Sequence, residues 1–431
     1  MLSFSRAMGG GAEALYSAEK RLRKLHSRAD VNPTRRNDFW SFALVCTLGS
    51  VLACAPRATV RPGEVETRAA PPLTATPAEP APRGPITLVA GGDVTLGAHY
   101  EEWVDGLRAK GQSGPAVDGW GFAEVKPLFS GADLVVVNLE CPFTDRGEPI
   151  PKNFNFRARP STVQVLIDAG IRAVSLANNH LMDYGPDGVA DTIATLDAAG
   201  IAHFGAGRTL AEARKPAFVE VGGLRIAFLG YLILGEKHPE PAVVWATETT
   251  AGVAGHPSDW TVVEKMVRED VAAARMQADL VIPFFHWGRE GSKGPDGYQI
   301  ALAKVAVESG AAAVLGSHPH VLHGMERIGK VPVFYSLGNF VFGGNWNPRD
   351  KDSVLVKARF DRSGYLGAEL FPLRTDRFPD RPIQPYPLAG ADAQTVMQRL
   401  RNASATFATP LPELAPPKPA APVSAAAPSG S

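Results

Sequence analysis

Five short apolar runs in this chain end directly on residues that bind protons or metal ions, and that pattern limits the fold more than any other feature. Ile86–Ala90 leads into Gly91, Gly92 and Asp93, and Asp133–Asn138 leads into Glu140. Ala173–Leu176 leads into Asn178, Asn179 and His180. Leu280–Phe285 leads into His286, and Ala312–Leu315 into His318 and His320. Continuous apolar runs of this length read as buried strands, the first closed by a tight turn at the glycine pair. Helical stretches lie between them. One covers Ser161–Ala169 with Gly170 as its stop, and another Pro186–Ala199 with Gly200 after it. A third covers Ser258–Ala278 with Ser258 as N-cap, and a fourth Tyr298–Ser309. Strands alternating with helices predict an α/β class. A hairpin is expected for Ala217–Val221 and Arg225–Tyr231 around Gly222 and Gly223. Val331–Ser336 reads as a further strand. The late strands Ser353–Phe360 and Leu366–Phe371 have no helix between them, so they read as antiparallel additions or a second sheet.

The C-terminal strand ends of an open α/β sheet line its site. Five strands therefore deliver Asp, Glu, Asn and His to one rim, where such side chains are costly to bury without partners. Any one of these histidines, taken alone, reads more readily as structural. Asp93 alone could cap a helix, and Asn179 alone could hold a turn. The series points to a metal centre of oxygen and nitrogen ligands without thiolate, which suits Zn, Mn or Fe. His318 and His320 point oppositely in a strand, but from a turn both reach one cluster. Gly324–Lys330 has the spacing of a phosphate loop. It is followed by Val331 and a strand instead of Ser or Thr and a helix, so it is set aside. No Gly-x-Ser-x-Gly elbow is present.

At these residues the chain resembles the CapA family of capsule or poly-γ-glutamate biosynthesis proteins, itself similar to calcineurin-like metallophosphoesterases. The stretches that carry the resemblance are GGDVTLG from Gly91, NLECPFT from Asn138, FRARP from Phe156, LANNHLMDYG from Leu176, HWGRE from His286, GSHPHVLH from Gly316 and YSLGNFVFGG from Tyr335. They span roughly Ile86 to Phe371. The resemblance implies a two-sheet α-β-β-α sandwich of the metallophosphoesterase type. It implies metal ligands Asp93, Glu140, Asn179, His286, His318 and His320, with His180 as general acid. Asp183, three residues on, is placed to orient His180. Where metallophosphoesterases carry a His two residues after the first Asp, this chain has Thr95. One metal position then keeps Asp93, Glu140 and His320, and the other Glu140, Asn179, His286 and His318. The expected cofactor is one or two divalent transition metal ions (Mn, Zn or Fe). Arg157, Arg159, Asn178 and Asn339 are the expected substrate-side residues, and Arg289 is a further cation for an anionic substrate.

Composition separates this body from its ends. Lys+Arg and Asp+Glu both number 44, and a zero net charge gives no support for nucleic-acid binding. The chain has 37 prolines, of which 8 fall in residues 55–85 and 7 in residues 408–431. Both segments lack aromatic residues and are expected to be disordered, flanking a body over residues 86–407. Residues 1–54 read as a basic extension and an export signal. Arg35 and Arg36 precede the charge-free run Phe39–Ala53, which is shorter than the roughly 18 to 20 residues of a spanning helix. Val51-Leu52-Ala53-Cys54 resembles a bacterial lipobox, with Cys54 as the lipidated residue. A plain secretory signal or an uncleaved anchor is the other reading. The leader is long, so either translation starts later, with Val31 as one possible start, or the basic extension is real. Cys141 is the sole cysteine of the body, so no internal disulfide is expected there.

Two functions fit. The first is a metal-dependent hydrolase at the cell envelope, cutting a phosphoester or the γ-amide links of polyglutamate. The second is a membrane-anchored, non-catalytic component of a capsule-synthesis complex that holds an anionic polymer.

Overall fold

The computed structural model describes residues 84–236 and 238–414. The expected export signal, Cys54, the tether up to residue 83 and the tail over residues 415–431 lie outside the described residues. The described elements run β1 (Ile86–Thr95), α1 (His99–Ala109), β2 (Leu134–Leu139), α2 (Val163–Ala169), β3 (Ala173–Ser175), α3 (Gly185–Ala199), β4 (Ala202–Phe204), β5 (Ala206–Gly207), β6 (Ala217–Val221), β7 (Leu224–Ile233) and β8 (Gly252–Val253). They continue with α4 (Trp260–Arg275), β9 (Leu280–Trp287), α5 (Gly297–Glu308), β10 (Val314–Ser317), β11 (Met325–Ile328), β12 (Val331–Phe334), β13 (Asn339–Phe342), β14 (Asp352–Asp361), β15 (Gly364–Arg374), β16 (Tyr386–Pro387) and α6 (Gly390–Ser404).

Two sheets form the sandwich. The first has the order β16-β15-β14-β1-β2-β3-β4, with β13 also pairing to β1. The second has the order β11-β12-β10-β9-β7-β6. The centres are parallel: β1 with β2, β2 with β3, β7 with β9, and β9 with β10. The late strands β14 and β15 join the first sheet as antiparallel additions.

Alternation along each strand builds the layers. Leu88, Ala90, Leu134 and Val136 meet Ile226, Phe228, Ile282, Phe284 and Leu315 in a core between the sheets. Their neighbours Val89, Val135 and Val137 point the other way, onto residues of α1, α2 and α3. Ala227, Leu229, Val281 and Phe285 face α4 and α5. Strands covered on both faces explain why they read as unbroken apolar runs. This is the expected α-β-β-α sandwich. Truncating a ring such as Phe284, fully buried between the sheets, carries a cost of roughly 3–5 kcal/mol.

Several local expectations need correction. β1 does not turn at the glycines. It continues to Thr95 through an irregularity between Ala90 and Asp93 that re-aims its end. Gly92 is required there, because a Cβ at that position would lie 1.8 Å from the carbonyl oxygen of Gly338. The cap of α4 is Asp259, whose carboxylate accepts from the Thr261 amide, and not Ser258. The body also runs past Phe407. Leu411 and Leu414 are buried, the Leu411 amide donates to Met325, and Arg401 donates to the Leu414 carbonyl at 2.7 Å. Two leucines between prolines suffice to dock residues 408–414, which the composition of the whole tail had placed in disorder. The set-aside Gly324–Lys330 stretch forms most of the β11–β12 hairpin, with Gly329 at φ 62° in its turn.

Candidate metal centre

All five polar strand ends converge. Asp93 sits near the end of β1 and takes a 2.9 Å hydrogen bond from Asn138 Nδ2 at the end of β2. Glu140 follows β2. Its backbone is held by its own amide donating to Val94 at 2.7 Å and by Thr95 Oγ1 donating to its carbonyl at 3.1 Å. Thr95 thus fixes the strand end that carries Glu140.

The second sheet supplies the nitrogens. His286, near the end of β9, has Nδ1 3.0 Å from Ser317 Oγ and Nε2 2.9 Å from Asn179 Oδ1. His318 Nδ1 lies 3.0 Å from His286 Nε2, and its backbone amide donates to Asp93 at 3.3 Å. His320 Nδ1 lies 2.8 Å from Asn339 Oδ1 and 3.4 Å from Asp93 Oδ2. His318 and His320 have φ of 96° and 56°. This left-handed backbone is strained for residues with a Cβ, and it lets two histidines two positions apart face one point.

A metal ion fits the residues present. Glu140 is fully buried, and both its carboxylate oxygens lack any hydrogen-bond partner. A buried carboxylate without partners is costly, and a cation between it and neutral imidazoles removes the cost. Ligand atoms of Asp93, Glu140 and His286 lie within 4.8 Å of one another, as do those of Glu140, His318 and His320. Glu140 belongs to both trios, as a bridging carboxylate would. The donors also stand close in the expected grouping: His286 Nε2 lies 2.9 Å from Asn179 Oδ1, 3.0 Å from His318 Nδ1 and 3.6 Å from Glu140 Oε1, and His320 lies 3.4 Å from Asp93 and 3.8 Å from Glu140. The electrostatics agree. Burial, then the neighbouring Asp93 charge, pushes the Glu140 carboxyl well above its usual range. Burial holds His286 and His318 well below the usual imidazole value, so both stay neutral donors of a lone pair. For His320 burial is outweighed by Asp93, and its value rises.

A second cluster adjoins the first. His180 Nδ1 lies 2.7 Å from Asp183 Oδ2, and Phe156 stacks on the imidazole at 4.2 Å. Asp183 is fully buried and also accepts from the Phe156 amide at 2.6 Å. Lys152, with only 4% of its side chain exposed, stands 2.7 Å from Asp183 Oδ1 and 3.0 Å from Glu240 Oε2, and donates to the Asn179 carbonyl at 2.7 Å. Glu240 Oε1 in turn accepts from Asn179 Nδ2 at 3.0 Å. That bond fixes the amide so that its oxygen faces His286. Burial lowers the His180 value, with Asp183 opposing.

Lys152 and Glu240 were not assigned to the site from sequence. They lie in loops without periodicity and 88 positions apart, so no local signal links them. Asn178 and Arg159 do not take the expected substrate-side place. Asn178 is fully buried and spends its amide on Asn138 and the Leu139 carbonyl, with its oxygen accepting from the His180 amide. Arg159 is an exposed partner of Asp105 at 2.8 Å and Glu101 at 3.2 Å on α1. Arg289 pairs with Asp296 at the surface. Arg157 is exposed over the Tyr184 ring, 4.4 Å from its centroid. Asn339 buttresses His320, behind the cluster.

Comparison with known proteins now gives this arrangement a context. The model of the bacterial capsule synthesis protein family PGA_cap matches residues 87–344. The chain belongs to that family. The capsule biosynthesis protein CapA of Bacillus anthracis is 31% identical to it over 302 residues, 69% of each chain. The PGA biosynthesis protein CapA of Bacillus subtilis is 33% identical over 266 residues, 61% of this chain and 67% of that one. A probable polyglutamine synthesis accessory protein of Mycobacterium tuberculosis is 30% identical over 273 residues, 60% of this chain and 70% of that one. The PGA_cap match begins at the second residue of β1 and ends just after β13, so it contains every residue of both clusters.

Proposed function

We propose that this PGA_cap protein is a metal-dependent hydrolase that serves the synthesis or export of an anionic capsular polymer, polyglutamate or a related chain. One observation carries the metal reading: the buried Glu140 carboxylate, unpartnered, with Asp93 and three histidines around it. Asp93, Glu140, His286, His318 and His320 would hold one or two divalent ions (Mn, Zn or Fe), with the Asn179 oxygen beside them. A bound ion supplies Lewis acidity and brings the pKa of a water toward neutrality.

The chain's own residues then arrange the proton. The Asp183 carboxylate fixes the His180 proton on Nδ1, which leaves Nε2 to exchange a proton with the leaving group. Lys152 carries one positive charge against the two negative charges of Asp183 and Glu240. A proton arriving on His180 completes the balance in a region that is largely closed to water. Phe156, stacked on the imidazole, holds the ring in place and screens it. The reaction class is hydrolysis of a phosphoester or of a γ-amide link. Export and lipid attachment at Cys54 complete the proposal and place the body at the cell envelope.

The test has two arms. Purified protein should hold transition metal that a His286→Ala, His318→Ala variant lacks; equal and negligible metal in both defeats the reading. Turnover of a generic phosphoester, or of polyglutamate, should disappear in His180→Ala while metal is retained. The family relationship equally accommodates a membrane-anchored, non-catalytic component of a capsule-synthesis complex. Full rescue of capsule in a deletion strain by the His180→Ala protein selects that alternative.

A further inference from the structure

His286 stands between two sets of partners that disagree about where its proton belongs. On the Nε2 side are the Asn179 oxygen at 2.9 Å, His318 Nδ1 at 3.0 Å and Glu140 Oε1 at 3.6 Å. On the Nδ1 side are Ser317 Oγ at 3.0 Å and Asn138 Nδ2 at 3.2 Å. A neutral imidazole carries one ring proton, so one nitrogen donates and the other accepts.

The side-chain amides around the ring are oriented by their own partners. Asn178 is anchored to the backbone: its Nδ2 donates to the Leu139 carbonyl at 2.7 Å, and its Oδ1 accepts from the His180 amide at 3.1 Å. The same Nδ2 donates to Asn138 Oδ1 at 3.1 Å. Asn138 therefore turns its own Nδ2 toward the Asp93 carboxylate and toward His286 Nδ1. An N–H aimed at Nδ1 calls for a lone pair there. The Asn179 amide donates to Glu240 and so aims its oxygen at Nε2, which calls for a proton there. Both amides favour the tautomer with its proton on Nε2.

An ion held through Nε2, the nitrogen on the Glu140 side, requires the opposite tautomer. The Nε2 proton leaves, one arrives on Nδ1, and the ring stays neutral. The Nδ1 proton then needs an acceptor. Asn138 presents a donor. Asp93 Oδ1 stands 3.9 Å away and already accepts from Asn138. Ser317 Oγ remains. It is fully buried, and its hydroxyl bonds to nothing else among the described residues. Ser317 pairs in register with His286 across β10 and β9, which puts the two side chains on one face of the sheet.

We propose that Ser317 is the positioning residue that lets His286 hold an ion: its hydroxyl turns from donor to acceptor and takes the Nδ1 proton, against the tautomer that Asn138 and Asn179 favour. The inference rests on the reading of this cluster as a metal centre. It goes further by making ion binding a contest between two tautomers of one imidazole, decided by a hydroxyl outside the donor set.

Nitrogen NMR of the full chain with isotope-labelled histidine tests it, in chelator and in zinc, the His286 signals being those lost in His286→Gln. The expected result is a proton on Nε2 in the chelated protein and on Nδ1 with zinc. Ser317→Ala should keep the first tautomer and bind zinc roughly 10- to 100-fold more weakly. Ser317→Thr, which keeps the hydroxyl, should bind zinc as the wild type does. Equal zinc affinity in Ser317→Ala overturns the proposal, even where urea shows that variant to be less stable, because the hydroxyl is then only structural. A proton on Nδ1 in the chelated protein also overturns it. Zinc bound with the Nε2 proton still in place defeats the role of Ser317 alone. A wild type that takes up no zinc defeats the metal reading, and the role of Ser317 with it.

Discussion

Two buried polar clusters lie side by side in this protein, and they are satisfied in different ways. Around His180 the charges are paired within the protein: Asp183 meets the imidazole, the Lys152 ammonium meets Asp183 and Glu240 as ion pairs, and Glu240 accepts from Asn179. Around Glu140 they are not, since both carboxylate oxygens are buried and unpartnered. A complete network holds geometry without help, whereas an incomplete one with ligand-type neighbours needs an ion to complete it. The origin of the residues matches. The first sheet sends oxygens, Asp93 and Glu140, and the second sends His286, His318 and His320. The sheets meet there with complementary halves of one candidate donor set.

The largest expected effect comes from making the incomplete cluster complete without metal. Glu140→Gln removes the buried negative charge and the carboxylate that both candidate trios share. Metal content should fall below one-hundredth of wild type, because removing even a residue that only supports a ligand costs about 10- to 100-fold in affinity. Chelation should destabilise the wild type by about 2.7 kcal/mol when metal had been present at a hundredfold its Kd, and should leave Glu140→Gln unmoved. Thermal melts with and without chelator measure both. A wild-type melting temperature indifferent to chelation and added metal would break the comparison.

Asp183→Asn keeps the shape of the complete cluster and removes its charge. The His180 proton is no longer fixed on Nδ1, and turnover should fall roughly 10²–10⁴-fold with metal content unchanged. Loss of metal in this variant would show that the two clusters are one. A smaller effect on metal binding is expected from Lys152→Met, which leaves Asp183 and Glu240 without the cation between them. Breaking one side of a buried ion pair costs about 3–5 kcal/mol, and the freed Asn179 should weaken metal binding by about tenfold. Metal titration of Lys152→Met against wild type measures it. Unchanged affinity would show that Glu240 alone sets the Asn179 amide.

Much of the first cluster was legible in the sequence, and much of the second was not. Asp93, Glu140, His286, His318 and His320 each follow an apolar run, and a strand fixes where its last residue points. Lys152 and Glu240 come from loops, whose paths follow packing and carry no period. Chain proximity also misled. Arg159 is two positions from Arg157 and Asn178 two from His180, yet α1 claims the first and the β2 strand end claims the second. The fold class was readable because strands covered on both faces are apolar throughout. The strand β13, Asn339–Phe342, escaped because it is short, lies beside Gly338 and pairs only with the end of β1.

His323 provides a control that belongs to neither cluster. It is fully buried, with Nε2 3.0 Å from the Ser292 carbonyl and Nδ1 unpartnered. Burial chiefly, and Arg399 to a lesser degree, bring it down to about 4, against the pull of the Ser292 carbonyl and Asp296. The unfolded imidazole titrates near 6.5. A folded value below the unfolded one means that the unfolded chain binds the extra proton first. The stability due to neutral His323 is therefore whole above about 6.5 and is lost as pH falls toward about 4, to a limit of roughly 3 kcal/mol. Urea unfolding of the wild type should show this slope. His323→Gln, which can still donate to Ser292, should flatten it at unchanged metal content. An identical slope in both proteins would mean that the acid sensitivity belongs to the metal-side histidines, and that burial alone does not distinguish a structural imidazole from a ligand here.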